Sequence, residues 1–397
     1  MNKLRQHFAK IKRIFKGEEY PDVICIEFSL QMLTYMGQWR HQQQTGRYWV
    51  YFCLLSLGTF FHCFFIIWDW TEIYNDFIAL GDNICVSSGV ALVLYKKCYH
   101  NYYAREFEQI FDKFKLYSEQ CNKREKTVKD LQVRYFKEEY LLIVSTIFLG
   151  LSLLIAISGH SLFDSTIPIR AKFPMEIDSS AKLVFISCFQ ISMSFYVIES
   201  IVFIDGIGGQ MMSQMTLHFE ILFRDFKAIG SDAVVLDKCN GDCLRQDLRD
   251  LIIRHQDLLD FGKNVNALYQ PMLMAQLGCS LSMICLTAFE ATLTTDKLYI
   301  FLRFAIYALS VFIQILYWCY YGNRVTHMSS TINEALVQCD WMQGNSSFKK
   351  DLMIVMMRAQ KPFQFRVYGY FSISYETFIV VLSKSYSFFT LFRTISN

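Results

Sequence analysis

The sequence predicts an all-α polytopic membrane protein. Seven transmembrane helices, a cytoplasmic N-terminus, an extracellular C-terminus and long helices extending into a cytoplasmic anchor layer make up the expected architecture. Three observations carry that expectation. The 397 residues are 53% apolar and 16% aromatic with only 5 Pro, too apolar for an ordinary soluble chain, while 19% charged residues are too many for one lying wholly in lipid. Apolar stretches near the ~20 residues that a hydrocarbon core requires fall at 48–68, 77–95, 140–157, 183–204, 272–293, 299–320 and 371–392. Between them the Lys and Arg counts alternate: eight before the first, then none, eleven, three, seven, one and six in successive connections. Positive charge stays inside, so the N-terminus is expected inside and, after seven crossings, the C-terminus outside. A G-protein-coupled receptor has the reverse sidedness.

The chain opens with a basic region, 1–47, in which no cleavable signal is expected. Leu4, Phe8, Ile11 and Phe15 recur at helical spacing among Lys3, Arg5, Lys10, Lys12, Arg13 and Lys16. Such a helix lies either on an anionic leaflet or on the protein's own cytoplasmic part, and the sequence leaves both open. In the second span Asp82 and Asn83 are costly in lipid, so they mark a vestibule or hydrogen bonds between helices. The third and fourth spans are the clearest of the seven.

The connections between spans are too helical to be linkers. Residues 182–229 would form a helix of about 72 Å and 248–291 one of about 66 Å, with Pro271 available to bend the latter, against a ~30 Å hydrocarbon core. Both must continue beyond the membrane, as does the sixth span toward Trp341, and 349–360 adds an amphipathic stretch. The expected divisions are 1–47, 48–204, 205–271, 272–322, 323–366 and 367–397. Asn345-Ser346-Ser347 is a sequon on the inside, expected to stay unmodified.

Chemistry-bearing patterns are weak. Most of the 13 Cys sit in apolar runs and read as reduced core residues; Cys239 and Cys243 lack the second pair that a zinc site needs, and no metal or cofactor is expected. His255 and Asp260 match an HxxxxD acyltransferase pattern, but on a continuous helix they lie about 140° apart. Gly206, Gly208 and Gly209 follow no strand and complete no nucleotide loop, so they read as a helix bend or a close contact. No internal repeat of the kind transporters carry is visible. Neither an enzyme nor a nucleic-acid partner is expected.

The last thirty residues carry the most specific signal. From Phe371 to Phe392 only Glu376 and Lys384 are charged, with a stripe of Ser and Thr, as befits a helix facing a bundle interior or a water path. SYETF (374–378) followed by SYSFFTLFR (385–393) resembles the terminal signature of the insect odorant receptors. DLIIRHQDLLDFGKNV (250–265), PMLMAQLGCS (271–280), YWCYYGNRV (317–325), CDW (339–341) and RAQKPF (358–363) resemble further landmarks of that family, in its order and roughly its spacing. The first 246 residues resemble it only in their pattern of spans.

This resemblance implies a tuning subunit of an odorant-gated, non-selective cation channel in the plasma membrane of a sensory neuron's dendrite. The implied partners are a small volatile odorant, the lipid bilayer and the shared odorant receptor co-receptor, Orco, in a heteromeric, tetrameric channel. A gustatory-type channel shares the topology, and a G-protein-coupled receptor is the remaining alternative. By the same resemblance the ligand site lies in the second, third, fourth and sixth spans, with Asn83, Val86, Gly150, Leu151, Leu154, Phe185, Phe189, Ser192, Phe304 and Tyr307 as candidates. The last helix would line the pore through Ser387, Thr390, Leu391 and Thr394, with Leu391 as the apolar gate. Tyr317, Tyr320, Tyr321, Trp341 and Tyr386 are implied at subunit interfaces.

Overall fold

The computed structural model describes residues 2–21, 24–39, 46–164, 166–230, 242–293 and 298–396. Among them are eleven α-helices: α1 (Asn2–Phe15), α2 (Ile24–Tyr35), α3 (Gly46–Ile73), α4 (Phe77–Tyr102), α5 (Ala104–Asn122), α6 (Lys126–Asp164), α7 (Ser180–Lys227), α8 (Asp242–Leu293), α9 (Leu298–Gln338), α10 (Ser346–Ala359) and α11 (Tyr375–Ser396). Six of these, α3, α4 and α6 to α9, are long and apolar enough to cross a membrane. The seventh expected span coincides with α11, but it starts later than the hydropathy indicates. Arg366–Val367 pairs antiparallel with Phe371–Ser372, and Tyr368 and Gly369 turn the chain with φ of 48° and 78°. Residues 371 and 372 therefore belong to a strand, which apolarity alone cannot distinguish from the first turn of a helix.

Helices α6, α7, α8 and α9 hold 39, 48, 52 and 41 residues, or about 58, 72, 78 and 62 Å at 1.5 Å per residue. Each outruns a ~30 Å hydrocarbon core. Pro271 lies inside α8 without ending it, and one residue-turn away the Tyr99 hydroxyl donates to the Leu268 carbonyl at 2.9 Å. The largest apolar core forms where these extensions meet α1, α2, α5 and α10. It runs from Phe107 and Phe136 through Met211, Phe219 and Phe226 to Leu258, Val325, Phe348 and Phe363. In a water-exposed layer, burying such side chains stabilises directly, at roughly 1.5–3 kcal/mol each. Within a bilayer that driving force is absent, which fits the smaller clusters and outward-facing Leu141, Phe148 and Ile155 of the apolar halves.

Charged pairs fix the register of the extension layer. Arg124 and Arg254 both reach Asp225 at 2.7 Å, Lys113 meets Asp257 at 2.6 Å and Arg324 meets Glu138 at 2.8 Å. Arg245 reaches Asp351 at 2.7 Å and, through that hydrogen bond, holds its carboxyl below the usual carboxylate range. Exposed pairs of this kind contribute at most about 1 kcal/mol each, so the apolar core dominates.

Two stretches unread in the sequence are helical, α2 and α5. On α1 the open alternative is resolved toward packing: Ile11 and Ile14 are buried, and Phe15 stands edge-on to Phe136 and Tyr140 at 6.2 and 5.5 Å. Lys12, Arg13 and Lys16 remain exposed on the opposite side. Of the glycine cluster in α7, Gly208 and Gly209 are close contacts, to Trp318 and Tyr317, inside an unbroken helix. Cys239 lies outside the described residues.

Candidate functional site

A cavity of ≈ 190 Å³ opens between α3, α4, α6, α7, α8 and α9. Its walls come from helical faces: Val86, Gly89 and Val90 on α4; Leu149, Gly150, Leu153 and Ile157 on α6; Ser194, Val197, Ile198 and Ile201 on α7. These i, i+3, i+4 spacings place each group on one side of its helix. An apolar cavity of about 150 Å³ accommodates benzene, so this one suits a molecule of similar or slightly larger size.

Of the ten ligand candidates, Val86, Gly150 and Tyr307 line this cavity. Leu154 and Phe304 pack beside Tyr307 in the adjoining cluster, and Asn83 is buried in a 3.2 Å hydrogen bond from its amide to Asp69. The Phe189 ring stands edge-on to His62 at 6.1 Å. Phe185 is 68% exposed, and Leu151 and Ser192 also face outward, so these three are not brought to the cavity. The reason is register. On α6 the inward face is 149, 150, 153 and 157, one residue off the expected 150, 151 and 154, and on α7 the cavity sits farther toward Lys227 than 185–192.

At one end the cavity has a polar floor that was not anticipated. Lys96, 1% exposed, donates to both Asp205 Oδ1 and Gln276 Oε1. Gln314 Nε2 donates to Asp205 Oδ2 at 2.6 Å and Gln276 Nε2 to Ser280 at 2.9 Å. Four helices, α4, α7, α8 and α9, are thereby tied at one point. A second ion pair, Arg303 to Asp82 at 2.9 Å, links α9 to α4 farther along and accounts for the acidic residue in the second span. Lone polar residues in apolar helices signalled that partners exist; which pairs form was not readable.

Helix α11 packs on α8 and α9 through Phe378 and Val381 beside Ile284, Val311 and Ile315, and the Cys285 thiol points to the Ser385 carbonyl at 3.8 Å. Its opposite face, Glu376, Val380, Ser383, Lys384 and Ser387, is exposed on the single chain. Thr390 donates to the Ser387 carbonyl at 2.8 Å. The side chains of Leu391 and Thr394 lie outside those described. Among the residues implied at interfaces, Trp341 and Tyr386 are exposed and Tyr320 is half-buried against Arg324. Tyr321 is 1% exposed and Tyr317 donates to the Gly206 carbonyl at 3.3 Å on the cavity wall, so both pack within the chain.

His255 is buried against Phe219 and Phe226 while Asp260 pairs with Lys263 at 2.7 Å on the surface, so the HxxxxD pattern assembles nothing catalytic. Among the described residues no group of three or more His, Cys, Asp or Glu is placed to hold a metal ion.

Long apolar helices continuing past a bilayer's thickness, with an apolar cavity among them, define a multi-pass membrane protein. A profile of the 7tm odorant receptor family matches residues 76–386, and the chain belongs to that family, a family of receptors and not of enzymes. It is 27% identical to odorant receptor 67c of Drosophila melanogaster over 59% of this chain and 57% of that one. With odorant receptor 47b of the same organism it shares 23% identity over 80% of this chain and 78% of that one. Its fold is similar to that of the insect olfactory receptor OR5 from Machilis hrabei, at a TM-score of 0.78 and 14% identity, covering 98% and 99% of the two chains.

Proposed function

We propose that this odorant receptor is the ligand-binding subunit of an odorant-gated, non-selective cation channel in the plasma membrane, assembled as a heterotetramer with the odorant receptor co-receptor. The observation that carries the reading is the ≈ 190 Å³ cavity, partly open and with predominantly apolar walls. Small volatile ligands offer few hydrogen bonds, so their affinity must come from leaving water for such a place. The fold-related Machilis hrabei receptor was solved in complex with eugenol. The exposed polar stripe of α11 supports the pore: in a tetramer four such faces can surround one axis. Tyr307, on the cavity wall, is proposed to contact ligand, and Tyr307→Ala should reorder odorant preference rather than lower all responses alike.

The test is co-expression with the co-receptor and recording of odorant-evoked current. In the same cells an epitope after Asn397 should be reached without permeabilisation, and one before Met1 only with it, as the Lys and Arg asymmetry requires. Evoked current absent across a wide volatile panel, or reversed epitope access, would overturn the channel reading in favour of a different coupling.

The gate is assigned to Leu391. A ring of apolar side chains excludes ions because a hydrated cation cannot cheaply shed water in a narrow neck. Leu391→Ser is expected to raise current in the absence of odorant several-fold, and Thr394 substitutions to alter ion selectivity. Unchanged basal current at normal surface expression would place the gate elsewhere on α11.

A further inference from the structure

The cavity has polar groups on its wall, and nearly all are already engaged. Thr146 and Ser310 donate to the Ile143 and Ile306 carbonyls of their own helices at 2.8 Å. Asp205, Gln276 and Gln314 are held in the network around Lys96. Ser194, on the α7 wall, and His62 are not; His62 stands on α3, a helix outside the expected ligand-binding spans. It is 1% exposed and lines the cavity, and its Nε2 has no hydrogen-bond partner among the described residues. Its ring is held edge-on by Phe189. Leaving a buried ring nitrogen without a partner costs free energy, which a ligand group bonded to it would recover.

The position fits a ligand rather than the floor. Cys63, the next residue, points its thiol to the Ser87 carbonyl at 3.7 Å, which places His62 level with that turn of α4. Lys96 is nine residues farther along α4, about 13 Å away along the axis. An oxygen bonded at His62 therefore sits well apart from the charged floor, with Val86, Val90, Leu153 and Ile198 left to enclose an apolar remainder. A neutral imidazole can donate from Nε2 to a carbonyl or accept there from a hydroxyl, according to its tautomer.

We propose that His62 is the polar anchor of the cavity, and that it selects small volatiles carrying one oxygen, as alcohol, ketone or aldehyde, over hydrocarbons of the same shape. This rests on the ligand-binding reading above and adds the chemical class of the ligand. The contrast expected from one hydrogen bond in a dry site is about tenfold.

The test uses matched sets on several skeletons, such as acetophenone, 1-phenylethanol and ethylbenzene, or 2-heptanone, 2-heptanol and heptane. Each is read in two ways: half-maximal concentration for current with the co-receptor, and thermal stabilisation of the purified full-length chain. The wild type should prefer the oxygenated members about tenfold. His62→Phe keeps ring size and should lose that preference while keeping the hydrocarbon response; His62→Asn keeps a hydrogen-bonding group and should retain part of it. Surface expression of both variants controls for folding, and if His62→Phe fails to fold, retention of the preference in His62→Asn but not in His62→Leu decides the matter. Equal responses to hydrocarbons and oxygenates in the wild type, or an undiminished preference without the imidazole, overturn the anchor alone. Binding preference intact with no current overturns the channel reading alone, and no binding of any member overturns both.

Discussion

Lys96→Gln is expected to destabilise the folded receptor by about 3–5 kcal/mol and to deplete it from the cell surface. The ammonium is buried and shared between Asp205 and Gln276, and Asp205 is itself buried. Removing one member of a buried ion pair strands the other charge, a far larger loss than the net worth of the pair. Gln314, which donates to the second carboxylate oxygen at 2.6 Å, cannot by itself compensate a full charge. Asp205→Asn alone should be comparably harmful, because it strands the ammonium. The double variant Lys96→Gln with Asp205→Asn removes both charges and leaves amides able to bond one another, so it should recover more than half of the single-variant loss. The measurement is the thermal unfolding midpoint of the purified chain together with surface labelling. Additive losses in the double variant would show that the two side chains do not act as a pair.

That pair also marks the limit of what the sequence disclosed. Run lengths are enough to recognise the crossing helices, because a bilayer imposes a length that composition must meet. They also disclose the extensions, since uninterrupted helical sequence such as 182–229 has to go somewhere. Helix α2, twelve residues and apolar, was missed because it is too short for a span and lies beyond the amphipathic stretch that was read at the N-terminus. Faces were less legible than lengths. A helix apolar all round gives no moment to say which side turns inward, and so Gly150 lines the cavity while Leu151, chosen over Leu149 and Leu153, does not. His62 and Lys96 escaped notice for a different reason. Each is a single polar residue whose meaning depends on residues more than a hundred positions away or on a cavity, and neither has a local pattern.

The glycines of α7 offer the sharpest steric test. A Cβ on Gly208 would stand 2.8 Å from Trp318 Cζ3 and 3.0 Å from Tyr269 Cε1, two buried rings from α9 and α8. Both rings are themselves packed, with centroids 6.0 Å apart, so neither can withdraw cheaply. Alanine would gain about 1 kcal/mol of helix propensity over glycine, but overpacking a closed contact costs about 1–3 kcal/mol, so Gly208→Ala should be destabilising on balance and Gly208→Val decidedly so. Gly206, two residues earlier on the same helix, has nothing within 4 Å of an added Cβ. Gly206→Ala should therefore be neutral or stabilising by up to about 1 kcal/mol, the propensity gain with no steric cost. The contrast separates close approach from a need for a flexible helix, which would penalise both positions alike. Unfolding midpoints that fall in the order Gly206→Ala, wild type, Gly208→Ala, Gly208→Val, from highest to lowest, are the expected result. Gly208→Val as stable as wild type would mean that α7 and α9 are farther apart than the close contact described, and the shared wall between cavity and anchor core would need to be redrawn.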